Sequence, residues 1–150
     1  MNPQPPRPRG CTNFKTRHLG RLLSRHYDAE LAKVGLKTTQ YSLLAHVLKL
    51  GDIAPGELAR QMGLDASTLT RNLQPMVAAG WVVQEAGGDA RSRCIRLTQA
   101  GRDIQAEAQR HWKVAQQQVN ATLGTERVAA LHALVDECTT LLQADTAEPS

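Results

Sequence analysis

The sequence predicts a mainly α-helical chain carrying one small β-hairpin. Apolar residues recur at helical spacing over most of the 150 residues, and the period becomes extended only between positions 81 and 97. Glycine or proline stands at nearly every change of pattern. That length fits one compact domain, or a small reading lobe fused to a helical lobe. Hydrophobic residues are 41% and aromatics only 3%, so the core has to be built from aliphatic side chains.

Residues 1–10 hold four prolines and two arginines with no apolar run, and read as a disordered arm, not as a secretory signal. From Thr12 to Val34, Leu19, Leu22, Leu23, Tyr27, Leu31 and Val34 make an amphipathic helix ending at Gly35. A second helix, Thr38 to Leu50, places Tyr41, Leu44, Ala45 and Leu48 on one stripe; Thr38 or Thr39 caps it and Gly51 closes it. Pro55 at a first helical position and Gly63 at the end delimit a short third helix after Ile53. Asp65 caps a fourth helix through Ala79, with Leu69, Leu73, Met76 and Val77 inward and Pro75 inside it.

Beyond Gly80, residues 81–85 and 93–97 read as paired strands around a turn at Gly87, Gly88 and Asp89. Thr98 then caps a long helix to Leu123 with Ile104, Ala108, Ala115 and Val119 on a seam. Thr125 caps a last one bearing Val128, Leu131, Leu134, Val135, Cys138, Leu141 and Leu142. The expected organisation is an arm (1–10), an N-terminal dimerisation helix (11–35), a reading lobe (36–102), C-terminal dimerisation helices (103–144) and a loose tail (145–150).

Several function classes fall away at this level. Tyr41 to Leu48 is broken by Ser42 and His46 and falls far short of the roughly 20 apolar residues of a membrane span, so a cytoplasmic protein with no membrane partner is expected. Cys11, Cys94 and Cys138 are odd in number and unpaired in spacing, which excludes a disulfide framework or zinc ribbon and leaves three free thiols, with Cys94 and Cys138 as small core residues. Phosphate loops, G-x-S-x-G and H-E-x-x-H are missing, so no enzyme and no cofactor is expected. Cys11 and His18, with His26 or His111, lack metal-ligand spacing, and no metal is expected.

Charge is segregated. Residues 1–35 carry seven Lys/Arg against two acids, and residues 103–150 carry three against seven, so the basic front favours a polyanion. Helix, short turn, helix, hairpin, helix is the layout of a winged helix-turn-helix, whose second helix enters the major groove while the hairpin reaches the minor groove. With Leu69 and Leu73 buried, Ser67, Thr68, Thr70, Arg71, Asn72 and Gln74 supply short hydrogen-bonding groups and a long cation on that second helix. Arg71 can bridge guanine O6 and N7. Asp89, Arg91 and Arg93 flank the wing turn, where arginine meets the negative potential of a narrow minor groove. Taken singly, Ser67 and Thr68 also read as caps and the wing arginines as solvated charges; their order along the chain carries the signal. A helical protein-interaction module is the rival reading.

The sequence resembles the MarR family of bacterial transcription regulators from the first helix to Leu142. The likeness is carried by Gly56-Glu57-Leu58-Ala59, Leu64 to Arg71, Ala79-Gly80-Trp81-Val82, Asp89-Ala90-Arg91 and Leu97-Thr98-Gln99-Ala100-Gly101. Family members usually have Asp-Arg-Arg at the wing tip, so Ala90 is a departure. The resemblance implies a homodimer, interlocked through its first and last two helices, that binds pseudo-palindromic double-stranded DNA as a repressor. It further implies one of two signals. A small aromatic or phenolic anion would lodge among His18, Arg21, His26, Tyr27, Tyr41, His111 and Trp112, although Tyr27 and Tyr41 also read as core and Arg21 as solvated. Alternatively, a thiol would be oxidised, as in the organic-hydroperoxide branch, whose cysteine position falls at Asn13, two residues from Cys11. Lys15 and the helix N-terminus would stabilise a negative charge at Cys11.

Overall fold

The computed structural model describes residues 6–86 and 93–147. Six α-helices and one antiparallel hairpin follow one another as α1 (Thr12–Leu31), α2 (Thr38–Leu50), α3 (Pro55–Met62), α4 (Ala66–Ala78), β1 (Val82–Ala86), β2 (Arg93–Leu97), α5 (Gln99–Leu123) and α6 (Thr125–Ala147). Asp89 and Arg91 lie outside the described residues, so the wing is defined here by its two strands. Among the described residues, no helix is long and apolar enough to cross a membrane.

Helix boundaries follow local chemistry, with corrections at four of them. α1 stops at Leu31 and tightens into a 3₁₀ turn over Ala32–Val34 before Gly35 at φ +76°, instead of running unbroken to Val34. Neither Thr38 nor Thr39 caps α2. Lys37 occupies the cap position, its N–H donates to Gln40 Oε1 at 2.9 Å, and the Thr38 N–H donates to Asp28 Oδ1 at 3.0 Å. Gly124, not Thr125, precedes the first turn of α6 and accepts the Val128 N–H at 3.1 Å. α6 also continues to Ala147, because Ala144 to Ala147 contains no helix breaker before Pro149; residues 145–147 are therefore helical and not part of a loose tail.

Leu31, Leu36, Leu43, Leu44, Val47, Leu58, Leu69, Leu73, Met76, Val82, Ile95 and Ala108 form one contiguous buried cluster. It joins α2, the α3–α4 pair, the hairpin and α5, so the reading lobe is rigid where α4 leaves it. Burying each large aliphatic side chain here contributes about 1.5–3 kcal/mol. Ile53 pairs with Ile95 through two backbone hydrogen bonds of 3.2 and 2.8 Å, adding a one-residue third strand to the hairpin. Two residues expected inward face out: Leu48 is 40% exposed and Val77 is 42% exposed.

Outside this lobe the packing is incomplete. α6 packs on α5, yet Leu134, Val135, Leu141 and Leu142 are all more than half exposed, as is Phe14 on α1. Cys138 is likewise exposed, not a core residue, whereas Cys94 is half-buried on β2.

Candidate nucleic-acid interface

The α3–α4 pair is a helix-turn-helix built from its own sequence signals. Gly63 takes φ +64°, ψ +32°, which lets the Leu64 N–H return to the Ala59 carbonyl at 2.9 Å and ends α3 abruptly. Two residues later Asp65 caps α4: its Oδ1 accepts the Thr68 N–H at 2.7 Å and the Ser67 hydroxyl at 2.8 Å. Those bonds to the charged form hold the Asp65 carboxyl at about 2. A depressed carboxylate stabilises the fold above its unfolded value near 3.8 and loses that contribution as pH falls from about 4 through about 2. Asp65→Ala is expected to lower the thermal midpoint by a few degrees at pH 7 and to leave it nearly unchanged at pH 2. Parallel melts at the two pH values check this.

Leu69, Leu73 and Met76 anchor α4 in the core, leaving the opposite face open. The side chains expected to read DNA divide into two groups there. Ser67 is engaged with the Asp65 cap, and Thr70 Oγ1 donates to the Ala66 carbonyl at 2.9 Å, so both hydroxyls already have partners within the helix. Arg71 and Gln74 are exposed and Thr68 and Asn72 half-exposed. The Arg71 guanidinium donates to Thr68 Oγ1 at 3.3 Å, which draws it toward the N-terminal end of that face.

The neighbouring cations sort by their partners. Arg60 on α3 is paired with Glu57, and Arg96 on β2 is clamped by Asp52 at 2.9 Å and Glu85 at 3.2 Å. Arg71 and Arg93 make no ion pair among the described residues, and both are exposed. Among the described residues, the arginines on α4 and at the wing root thus have no acidic partner, while the Arg96 pairs brace the hairpin. Sequence reasoning missed this brace, since Asp52 and Arg96 are 44 positions apart; their opposite charge beside two strands was the only signal.

Of the residues expected around an effector, three come together. Tyr27, Tyr41 and Trp112, with Thr38, Ser42, Ala45 and His46, line a cavity of about 340 Å³ where α1, α2 and α5 meet. The Tyr41 and Trp112 rings are near-parallel, 26° apart with centroids at 6.4 Å. Tyr27 donates its hydroxyl to Gln116 Oε1 at 2.6 Å. Burial raises both the Tyr27 and Tyr41 phenols above their ordinary value. The other four lie elsewhere, and His26 lines a separate groove between α1 and α5 with Leu22 and Gln118. His18 sits beside Phe14, and Arg21 lines a separate cationic depression with Arg17 and Arg25. His111 faces Glu30, its Nδ1 at 3.4 Å from Glu30 Oε2, and Lys33 completes that cluster at 2.8 Å. His46 was missed: one turn beyond Ser42, it gave no sequence signal beyond breaking an apolar run. Cys11 occupies the position before α1, exposed, with no side-chain capping bond. Among the described residues, no group of three or more His, Cys, Asp or Glu side chains is placed to hold a metal.

Residues 34–92 match the family model described as MarR family. The fold is similar to the crystal structure of the transcriptional regulator MosR from M. tuberculosis in complex with DNA, with 36% identity, a TM-score of 0.70, and coverage of 86% of this chain and 98% of that one. Over 126 residues the chain is 28% identical to the multiple antibiotic resistance protein MarR of Salmonella typhimurium, covering 78% of this chain and 88% of that protein. A cysteine-to-serine mutant of E. coli MarR complexed with operator DNA shares the fold at 23% identity and a TM-score of 0.78, over 84% of this chain and 91% of that chain.

Proposed function

The chain belongs to the MarR family, and from that premise we propose that it is a homodimeric, cytoplasmic transcription repressor that binds a pseudo-palindromic operator. The observation that carries this reading is the open face of α4, where Arg71 and Gln74 project from a helix anchored by Leu69, Leu73 and Met76. One α4 enters the major groove of each half-site. The wing follows the adjacent minor groove with Arg93 at its root, and the resemblance assigns Arg91 and Asp89, which lie outside the described residues, to the same contact. The exposed apolar residues of α6 and Phe14 on α1 supply the dimer contact, since a patch of that kind needs a partner. Family membership and the lack of any catalytic constellation in the sequence support a regulator over an enzyme.

Selection from a random duplex pool followed by sequencing tests the reading. A two-fold symmetric site with half-sites one helical turn apart is expected, together with a steep loss of affinity between low and moderate salt. Enrichment of no motif at all would overturn it.

The aromatic cavity between α1, α2 and α5 supports release of DNA by a small aromatic effector, because it lies beside α2, the helix that packs on α3, α4 and β2 as well as on α5. A second signal is favoured by the exposure of Cys11. A hydroperoxide would transfer one oxygen to the Cys11 thiolate, giving a sulfenic acid while the peroxide is reduced to an alcohol. Cys11→Ser then abolishes peroxide-triggered release without weakening DNA binding; unchanged release in that variant removes the oxidant reading.

A further inference from the structure

Resting on the effector reading above, we infer that the Tyr27–Tyr41–Trp112 cavity takes an uncharged planar aromatic that donates a hydrogen bond to Nε2 of His46, such as a phenol or an aromatic N–H, and discriminates against the corresponding carboxylate.

The wall chemistry points this way. None of the seven lining residues is lysine, arginine, aspartate or glutamate. The cations first expected near an effector, Arg21 and His18, lie elsewhere, so an anion entering this space would lose its hydration without a counter-charge. The cavity already penalises negative charge, as the raised Tyr27 and Tyr41 phenols record. Of the four lining hydroxyls, those of Tyr27 and Thr38 are committed to Gln116 and Asp28, and those of Tyr41 and Ser42 are neutral donors that bring no counter-charge to a carboxylate. The near-parallel Tyr41 and Trp112 rings favour a flat partner, and about 340 Å³ suits one or two rings.

His46 supplies the polarity. Its Nδ1 lies 2.7 Å from the Ser42 carbonyl oxygen. A carbonyl only accepts, so Nδ1 must carry the hydrogen, and in the neutral ring Nε2 is left as an acceptor. The tautomer is thus set by α2 itself, from residues one turn apart. A ligand O–H or N–H satisfies that acceptor, whereas a carboxylate presents a second acceptor to it. Lys49 lines an adjoining depression with Leu50 and Gln61, which shares only Ala45 and His46 with this cavity, and Lys37 lines another that shares only Thr38; neither lysine lines the cavity itself.

The test titrates the full chain at pH 8, above the ordinary imidazole range, with phenol, toluene and benzoate. Binding is followed by the Trp112 indole N–H resonance and by release of the selected operator. Phenol is expected to bind about five- to tenfold more tightly than toluene, the worth of one hydrogen bond, and more than about tenfold more tightly than benzoate. His46→Phe, which keeps a ring of similar size, should bring phenol and toluene within about twofold of each other. Tighter binding of benzoate, or a phenol preference that survives His46→Phe, overturns the inference and leaves the effector reading standing. No shift of Trp112 with any of the three overturns the effector reading as well.

Discussion

Arg71→Ala is expected to lower operator affinity about a hundredfold while leaving the protein folded. Arg71 is exposed on α4, and its sole side-chain hydrogen bond among the described residues goes to Thr68, so truncation opens no cavity and strands no buried group. Alanine is also the best helix former, and the thermal midpoint should hold. The loss falls on DNA. An arginine bridging guanine O6 and N7 is worth about 1–3 kcal/mol of discrimination, and a dimer carries two copies. Even about 1.4 kcal/mol per copy multiplies to a loss of about a hundredfold. Arg71→Lys separates charge from geometry: the cation remains but the planar fork is lost, so binding to random duplex and its salt slope persist while preference for the operator falls. Gel shifts on the selected operator and on a scrambled duplex, at two salt concentrations, read both effects. Wild-type operator affinity in Arg71→Ala would mean that α4 reads DNA through other side chains.

Much of the reading lobe was legible because its boundaries are set locally. Pro55, Gly63, Asp65 and Thr98 each mark an element end through a backbone or capping requirement that the residue itself imposes, and the structure places all four as expected. Inward faces were legible only where one neighbour defines them. On α4, Val77 lies about 80° around the helix from Leu69, at the edge of the arc that Leu73 and Met76 complete, and the core ends before reaching it. α2 is surrounded by α1, α3, α4, α5 and β2, so its buried arc is wide and centres on Leu43, Leu44 and Val47, not on the stripe through Leu48. The effector site was half legible for the same reason. Tyr27, Tyr41 and Trp112 announce themselves as aromatics in an aliphatic chain, but whether His18, Arg21 or His46 joins them depends on how α1 and α2 are rotated against α5, which no local pattern records.

The opposite case is Gly101, whose role no periodicity reveals. It is expected to be the most damaging glycine-to-alanine site among the described glycines. Inside a helix such a change ordinarily stabilises by up to about 1 kcal/mol. At Gly101 a Cβ would fall 2.0 Å from the Trp81 carbonyl oxygen and 2.9 Å from its carbon, both backbone atoms that no rotamer change can move aside. The same carbonyl accepts the Thr98 N–H at 3.0 Å, while Thr98 Oγ1 accepts from Gly101 N–H at 3.0 Å and donates to the Gly80 carbonyl at 2.6 Å. Gly80, Trp81, Thr98 and Gly101 therefore form one joint, fastening the end of the reading helix and the root of the wing to the start of α5. Relieving the overlap means prying α5 from the hairpin, and the net cost should be about 3 kcal/mol. For a chain of this size that lowers the thermal midpoint by roughly 10 °C. Gly56→Ala on α3 is the control, since nothing lies within 4 Å of its Cβ position and its φ is not left-handed; its midpoint should stay within about 2 °C of wild type. Melts at one fixed protein concentration compare the two variants, because dimerisation makes the midpoint concentration-dependent. A Gly101→Ala midpoint equal to that of Gly56→Ala would show that α5 and the wing root do not approach so closely. If the joint is as tight as its distances, Gly101→Ala should weaken operator binding too, since wing and α4 would no longer be held to the same helix.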